Sequence, residues 1–261
     1  MILAIDVGNT TTHLGIYRMD GAAPVLLHHW SISTDRARTS DEYAILLRSL
    51  FLVDGIEPKM LRGVIAACVV PPMIPTLERM CRSLLAMEPL LVRPGVRTGM
   101  PVQIENPHEV GADRIVNAVA AYARYGGPLI IVDFGTATSY CVISAQGVYL
   151  GGAIAPGVTV ATEALFAKAA KLPRIEIVKP ARVIGKNTVA AMQSGIVYGF
   201  AGQVEGIVER LKAEIGEPTR VIATGEMAPL IAPLAPVIDQ VELLLALEGL
   251  AIIYQRATAI K

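Results

Sequence analysis

The chain has 261 residues, a length for one large domain or two intimate ones of about 100 to 150 residues each. Its 23 basic residues balance 23 acidic ones, so no overall field favours nucleic acid or an anionic membrane, and any phosphate chemistry must come from a local site. Hydrophobic residues reach 53% while aromatics stay at 5%, a balance of Ala, Val, Leu and Ile that describes a soluble α/β protein with buried strands and packed helices.

The opening "MILAID" carries no basic segment and meets an acid at Asp6, so no signal peptide is expected. Strands are predicted over Ile2 to Asp6, His13 to Arg18 and Val25 to Ser33, an antiparallel meander whose last turn is "MDGAAP". "SDEYAILLRSLF" predicts a helix with Ser40 or Asp41 as N-cap, and "GVIAACVV" a strand. The prolines of "PPMIPTLERMCRSLLAM" suit a helix start, and "PLLVR" closes the series as βββαβαβ.

A helix is predicted from Glu109 to Tyr125, after which "GGP" resets the chain. "LIIVDFGTATSYCVIS" reads as strand, glycine turn and strand, with "GVYLGGAIAP" as a third strand. Helices follow at about Val158 to Ala170 and Val189 to Ile215, then the strand "RVIATG", a short helix from Glu226, the segment "PVIDQ" and a last helix from Glu242 to Thr258. The apolar runs "GVIAACVVPPMIP" and "VELLLALEGLAII" are broken by Pro or Glu before the roughly 18 residues that a membrane span requires. Cytoplasmic residence, with neither a membrane nor nucleic acid as partner, is the expectation.

"AIDVGNTTTHLGIY" superposes on "IVDFGTATSYCVIS", pairing Asp6 with Asp133, Gly8 with Gly135 and Thr11 with Thr138. Two such openings, each followed by a similar order of elements, predict a duplicated α/β lobe with a helical insertion in the second copy. The expected division is 1–118 and 119–261, with the active site in the cleft between the lobes.

Each glycine turn leads into a strand rather than a helix, which excludes both the dinucleotide-binding and the Walker arrangements. A hairpin can still cradle phosphate through backbone N–H groups around Gly8 and the hydroxyls of Thr10, Thr11 and Thr12. Asp6 would repel phosphate unless a cation intervened, and a carboxylate beside a phosphate cradle is a usual holder of Mg²⁺. Cys68, Cys81 and Cys141 are widely spaced in apolar surroundings, as for buried reduced thiols. His13, His28, His29 and His108 lack zinc-ligand spacing and a neighbouring nucleophile, so no histidine mechanism is expected.

Paired motifs of this kind resemble the superfamily of acetate and sugar kinases, Hsp70 and actin, with its duplicated actin-like, ribonuclease H-like lobes. More narrowly, "DVGNT", "WSISTDRARTSDEY", "ACVVPPM", "ENPHEVGADRIVNAVAAY", "DFGTATSYCVI" and "GGAIAPGV" resemble type III pantothenate kinase, which phosphorylates pantothenate in the first step of coenzyme A synthesis. The resemblance runs from Met1 to about Tyr198 and more diffusely beyond.

It implies ATP-dependent phosphorylation of a primary hydroxyl, with Asp6, Val7, Gly8, Asn9, Thr10, Thr11, Thr12 and His13 as the ATP phosphate loop and Thr136 as a further ATP contact. Gly111, Ala112, Asp113 and Arg114 would bind pantothenate, Asp113 as general base, and Thr188 would also contact pantothenate. Asp6 would organise Mg²⁺, Asp133 would hold a monovalent cation, K⁺ or NH₄⁺, and the protein would be a homodimer with pantothenate and ATP as its ligands.

Read from the residues alone, Asp113 and Arg114 fall in or beside a helix first turn, where the dipole favours an ionised carboxylate, and Thr188 is a good N-cap before Val189. Ile104 stands where many family members have Tyr in the substrate pocket, and Glu226 follows Gly225 where the superfamily's adenosine loop often has a second glycine. An actin- or Hsp70-like ATPase is disfavoured because 261 residues leave no room for a peptide-binding domain or polymer-forming insertions. A regulatory homologue without activity is disfavoured by the presence of Asp6, Asp113 and Asp133.

Overall fold

The computed structural model describes residues 1–21 and 23–259. Ala22, within the turn expected at Met19 to Pro24, and Ile260 and Lys261, at the end of the second expected domain, lie outside the described residues. Two five-stranded mixed sheets carry the chain.

The first sheet contains β1 (Ile2–Val7), β2 (Thr11–Arg18), β3 (Val25–Ser33), β4 (Val64–Cys68) and β5 (Leu90–Leu91), in the order β3-β2-β1-β4-β5. Between β3 and β4 runs α1 (Ser40–Val53), and between β4 and β5 runs α2 (Ile74–Leu85). β1 pairs antiparallel with β2 and parallel with β4. A central strand covered on both faces cannot alternate apolar and polar residues, which is why "ILAIDV" is an almost unbroken apolar run.

Leu3, Ile5 and Val7 enter one core cluster with Tyr43, Leu47 and Phe51 of α1 and Leu77, Met80 and Cys81 of α2. The spacing of Tyr43, Leu47 and Phe51 by four residues lines up one helical face, and burying each such side chain stabilises the fold by about 1.5–3 kcal/mol. The N-cap of α1 is Thr39, one residue earlier than expected, because Thr39 and Glu42 form a reciprocal capping box.

The second sheet repeats the plan with β6 (Leu129–Phe134), β7 (Ala137–Ile143), β8 (Tyr149–Pro156), β9 (Arg220–Thr224) and β10 (Gln240–Val241), in the order β10-β9-β6-β7-β8. Strand for strand this is the order of the first sheet, so the duplication read from the two turns extends to the whole topology. The helices here are α4 (Val158–Lys168), α5 (Thr188–Ile215) and the single turn α6 (Ala228–Ile231). Ile130, Val132 and Phe134 pack with Val197, Phe200, Val204 and Val208 of α5.

Two helices remain, α3 (Ala112–Tyr125) and α7 (Leu245–Thr258). α7 packs on β1, β2 and β4, and it meets α3 so closely that a β-carbon on Gly249 would lie 1.9 Å from the Val116 carbonyl oxygen. The compact units are accordingly discontinuous. The first comprises Met1–Met100, Glu105–Ala123 and the segment beginning at Leu245, and the second comprises Pro101–Ile104 and Arg124–Leu244. This differs from a single cut after residue 118, because α7 covers the face of the first sheet that α1 and α2 leave open.

Candidate active site

The end of β1 sets the first turn. Since Leu3, Ile5 and Val7 face the α1–α2 core, strand alternation puts Asp6 on the opposite face, half-buried, beside His13 in the antiparallel register. Gly8, Asn9 and Thr10 form the turn, closed by the Gly8 N–H donating to the Thr11 carbonyl at 3.0 Å. Asn9 and Thr10 are exposed, whereas Thr12 is 4% exposed and shares a 2.8 Å hydrogen bond with the Thr34 hydroxyl. The Thr12 hydroxyl is thus turned into the lobe rather than toward the turn surface. His13 Nδ1 bonds the Ser31 hydroxyl at 2.8 Å.

The sister turn is shorter by one residue. Val7 pairs with Thr12 across the first hairpin, and Phe134 pairs with Thr138 across the second. Beyond the turn, therefore, Thr138 corresponds to Thr12 rather than to Thr11, and both are buried. An ungapped superposition misses the slip because the turn, not the flanking strands, absorbs the extra residue.

Asp133 sits at the penultimate position of β6, opposite Ser139. Its Oδ1 crowds the loop after β9, where a β-carbon on Gly225 would come within 2.7 Å of both that oxygen and the Phe134 carbonyl oxygen. Gly225 also has φ of +90°, so position 225 excludes a side chain on two counts. Gly157, ahead of α4, donates its N–H to the Thr136 carbonyl at 3.2 Å and so underlies the second turn. Beyond the "GGAIAPGV" motif, no local sequence signal marks that role.

In the first unit, α3 starts at Ala112, three residues later than expected, after a 3₁₀ turn at Pro107–Glu109. Asp113 lies in the first turn of α3 and accepts a hydrogen bond from the Arg114 N–H on Oδ1 at 2.9 Å. That carboxylate folds back over Gly111, whose β-carbon would lie 2.3 Å from Oδ1, so a larger residue there must displace it. Burial pushes the Asp113 carboxyl above its usual range, and the hydrogen bond from Arg114 and the Arg114 charge oppose the rise without cancelling it. Desolvation is the largest influence on this carboxyl.

Elsewhere in the second unit, Thr188 is the first residue of α5, and the N-cap is Asn187, whose side-chain oxygen accepts from the Ala190 N–H at 2.8 Å. Freed from capping, Thr188 lines an open groove of about 820 Å³ with Lys186, Asn187, Met192, Phe200 and Leu165. Ile104 is half-buried and packs 3.5 Å from the β-carbon position of Gly151 on β8. Gly111, Ala112, Asp113 and Arg114 are contiguous with one another in the first unit, as are Asp6 to His13, while Ile104, Asp133, Thr136 and Thr188 belong to the second.

Among the described residues no three His, Cys, Asp or Glu side chains come together as a metal cluster. Cys68, Cys81 and Cys141 form no disulfide, and burial lifts Cys81 to about 12. No helix among the described residues is long and apolar enough to cross a membrane.

Comparison with known proteins places these features in a family. The sequence description of type III pantothenate kinase matches residues 2–210. A type III pantothenate kinase of Moorella thermoacetica is 56% identical over 258 residues, covering 99% of this chain and 100% of that protein. Another, of Geobacillus kaustophilus, is 55% identical over 258 residues, covering 99% and 98%. In fold, the inorganic polyphosphate/ATP-glucomannokinase of Arthrobacter sp. strain KM superposes with a TM-score of 0.52 at 11% identity, covering 100% of this chain and 99% of that one. The two sheets of identical strand order are those of the sugar-kinase fold, and with the family description matching residues 2–210 and these two relatives 56% and 55% identical over nearly the whole chain, the chain belongs to the type III pantothenate kinase family.

Proposed function

We propose that the chain transfers the γ-phosphoryl group of ATP to the primary hydroxyl of pantothenate, with Asp113 as the base. The observation that carries this reading is the Asp113 carboxyl, pinned over Gly111 by the Arg114 N–H and raised in pKa by burial. With Oδ1 held, Oδ2 takes the proton of the attacking hydroxyl. Because phosphoryl transfer is largely dissociative, the placement of that hydroxyl contributes more than the strength of the base. Arg114 binds the anionic end of pantothenate, and Thr188 and Ile104 belong to its pocket.

The Gly8–Thr11 turn cradles the phosphates of ATP with backbone N–H groups, and Thr136 adds a contact. The donor chemistry suits hard cations. Asp6 is a half-buried carboxylate at the lip of the turn and fits Mg²⁺, which is ordinarily held by one or two carboxylates together with substrate phosphates. When bound, Mg²⁺ neutralises charge on the phosphates. Asp133, whose Oδ1 and the Phe134 carbonyl oxygen both lie within 2.7 Å of the β-carbon position of Gly225, offers oxygen donors of the kind that K⁺ or NH₄⁺ takes. A homodimer and cytoplasmic residence complete the reading.

Purified protein should phosphorylate pantothenate in the presence of ATP and Mg²⁺, and should have a solution mass of about twice 27.7 kDa. Absence of pantothenate turnover sinks the assignment, and a fully active monomer sinks the dimer.

A pH profile tests the base. Asp113 must be ionised to accept a proton, so kcat/KM falls on the acid side with an apparent pKa above the ordinary carboxylate range. Stability runs the other way. A folded pKa above the unfolded one means that ionising Asp113 costs native stability, a cost absent below the unfolded pKa and complete above the folded one. Asp113→Asn removes that cost, so the variant should melt no lower than the parent at neutral pH.

Gly225→Ala tests the second carboxylate. The added methyl meets Asp133 Oδ1 and a strained backbone, so activation by K⁺ should weaken, with half-maximal activation at least several-fold higher. Unchanged K⁺ activation in a folded variant refutes Asp133 as the cation ligand.

A further inference from the structure

The segment Ser31–Tyr43 belongs to none of the roles assigned so far, yet the structure ties it to the phosphate turn at four successive points. Ser31 bonds His13, the Thr34 hydroxyl bonds the Thr12 hydroxyl, and the Thr34 N–H donates to the Thr10 carbonyl at 2.8 Å. At the tip, Arg36 Nη2 donates to Asn9 Oδ1 at 3.1 Å. The hydrogen bonds thus follow the turn from its far strand to its exposed crest.

The same segment is anchored at its other end. Tyr43, 6% exposed, accepts the Asp35 N–H at 2.9 Å and donates its own hydroxyl to the Asp35 carbonyl at 3.0 Å. Asp35 Oδ1 in turn accepts the Ala37 N–H at 2.9 Å, and the Arg38 guanidinium lies 5.3 Å from the centre of the Tyr43 ring. Thr39 and Glu42 then close the capping box that starts α1. Tyr43 shares the apolar face of α1 with Leu47 and Phe51, so the anchor is set in the core of the lobe.

A three-residue hairpin loop with exposed Asn9 and Thr10 has little packing of its own to fix it. We propose that Ser31–Tyr43 is a brace that pre-forms the phosphate turn, with Arg36 as the positioning residue that orients Asn9 and Tyr43 as the clasp that holds the brace on α1. The exposed Arg36 guanidinium acts on the turn through its hydrogen bond to Asn9 at the crest. Bound phosphates then meet backbone N–H groups already in place, and ordering the turn is not charged against binding. The inference rests on the Gly8–Thr11 turn being the phosphate cradle.

Steady-state kinetics with ATP and pantothenate varied separately test it, using Arg36→Ala, Arg36→Lys, Asn9→Ala, the double variant Arg36→Ala/Asn9→Ala and Tyr43→Phe. Arg36→Ala should raise the KM for ATP by about tenfold, the worth of a charge-assisted hydrogen bond, with the KM for pantothenate and the Tm little changed. Arg36→Lys should recover most of the loss, since an ammonium can still donate to Asn9 Oδ1. Tyr43→Phe, which keeps the ring and removes the clasp, should raise the same KM. The double variant should be no worse than Asn9→Ala alone, because the two side chains act as a unit.

An unchanged KM for ATP in Arg36→Ala, alongside a raised one in Asn9→Ala, overturns the brace and leaves the cradle standing. Additive losses in the double variant overturn it as well. If Asn9→Ala also leaves the KM for ATP untouched, the brace fails, while the backbone cradle is judged separately by Gly8→Ala, whose β-carbon would lie 2.8 Å from the Thr11 carbonyl oxygen and which should raise the KM for ATP.

Discussion

Asp113→Asn is expected to lower kcat by about 10²–10⁴-fold, the usual worth of a positioned general base, while leaving the protein folded. The substitution keeps the size of the side chain and an oxygen that can accept the Arg114 N–H, so the first turn of α3 retains its hydrogen bond. What disappears is the ability to take a proton from the attacking hydroxyl. Binding of both substrates should change little, which places the loss in kcat rather than in KM. The acid limb of the pH profile should vanish with the carboxyl. Stability offers an internal control, because removing a carboxyl held above its usual range by burial relieves a native-state cost at neutral pH. A variant that is inactive and melts lower has merely been damaged, and a rate equal to the parent's rejects Asp113 as the base.

The second large effect concerns Asp6. Asp6→Asn should reduce kcat/KM for ATP by about 10²-fold and move half-maximal activation by Mg²⁺ to a higher concentration. A carboxylate at the lip of a phosphate cradle repels the ligand unless a cation lies between them, so removing the charge should weaken ATP binding only if Mg²⁺ is there to be lost. Without such a cation, neutralising Asp6 would strengthen binding instead. Titrating Mg²⁺ against turnover distinguishes the two. A spectroscopic companion comes from Cys68 on the adjacent strand, whose thiol is raised by burial and further by the Asp6 charge. In Asp6→Asn that thiol should titrate lower, which reports that the charge is gone and the strand still in place.

Much of this was legible in the residues. Period-two and unbroken apolar runs marked the strands, because a strand covered on both faces must be apolar throughout, as "ILAIDV" and "LIIVDF" are. The two Asp-x-Gly openings announced a duplicated lobe, and both sheets carry the same strand order. "GADR" marked a helix start with an acid in its first turn, which is where Asp113 lies. Boundaries were less legible. The N-caps shifted by one residue at Thr39 and Asn187, since several neighbouring Ser, Thr, Asp and Asn side chains could serve and only the packed backbone selects among them.

The sequence by itself determined the class of fold and the duplication, because both are written in local spacing of side chains, and the same spacing singled out the carboxylates proposed for the chemistry. Tertiary structure alone decided four things. It returned α7 to the first unit, slid the second hairpin by one residue so that Thr138 answers Thr12, buried the Asp113 carboxyl and so raised it, and bound Ser31–Tyr43 to the turn at Asn9. Each depends on groups far apart in the chain meeting in space. Desolvation, close approach and side-chain hydrogen bonds fall off within a few ångströms, and no periodicity along the sequence encodes which distant residues come that near.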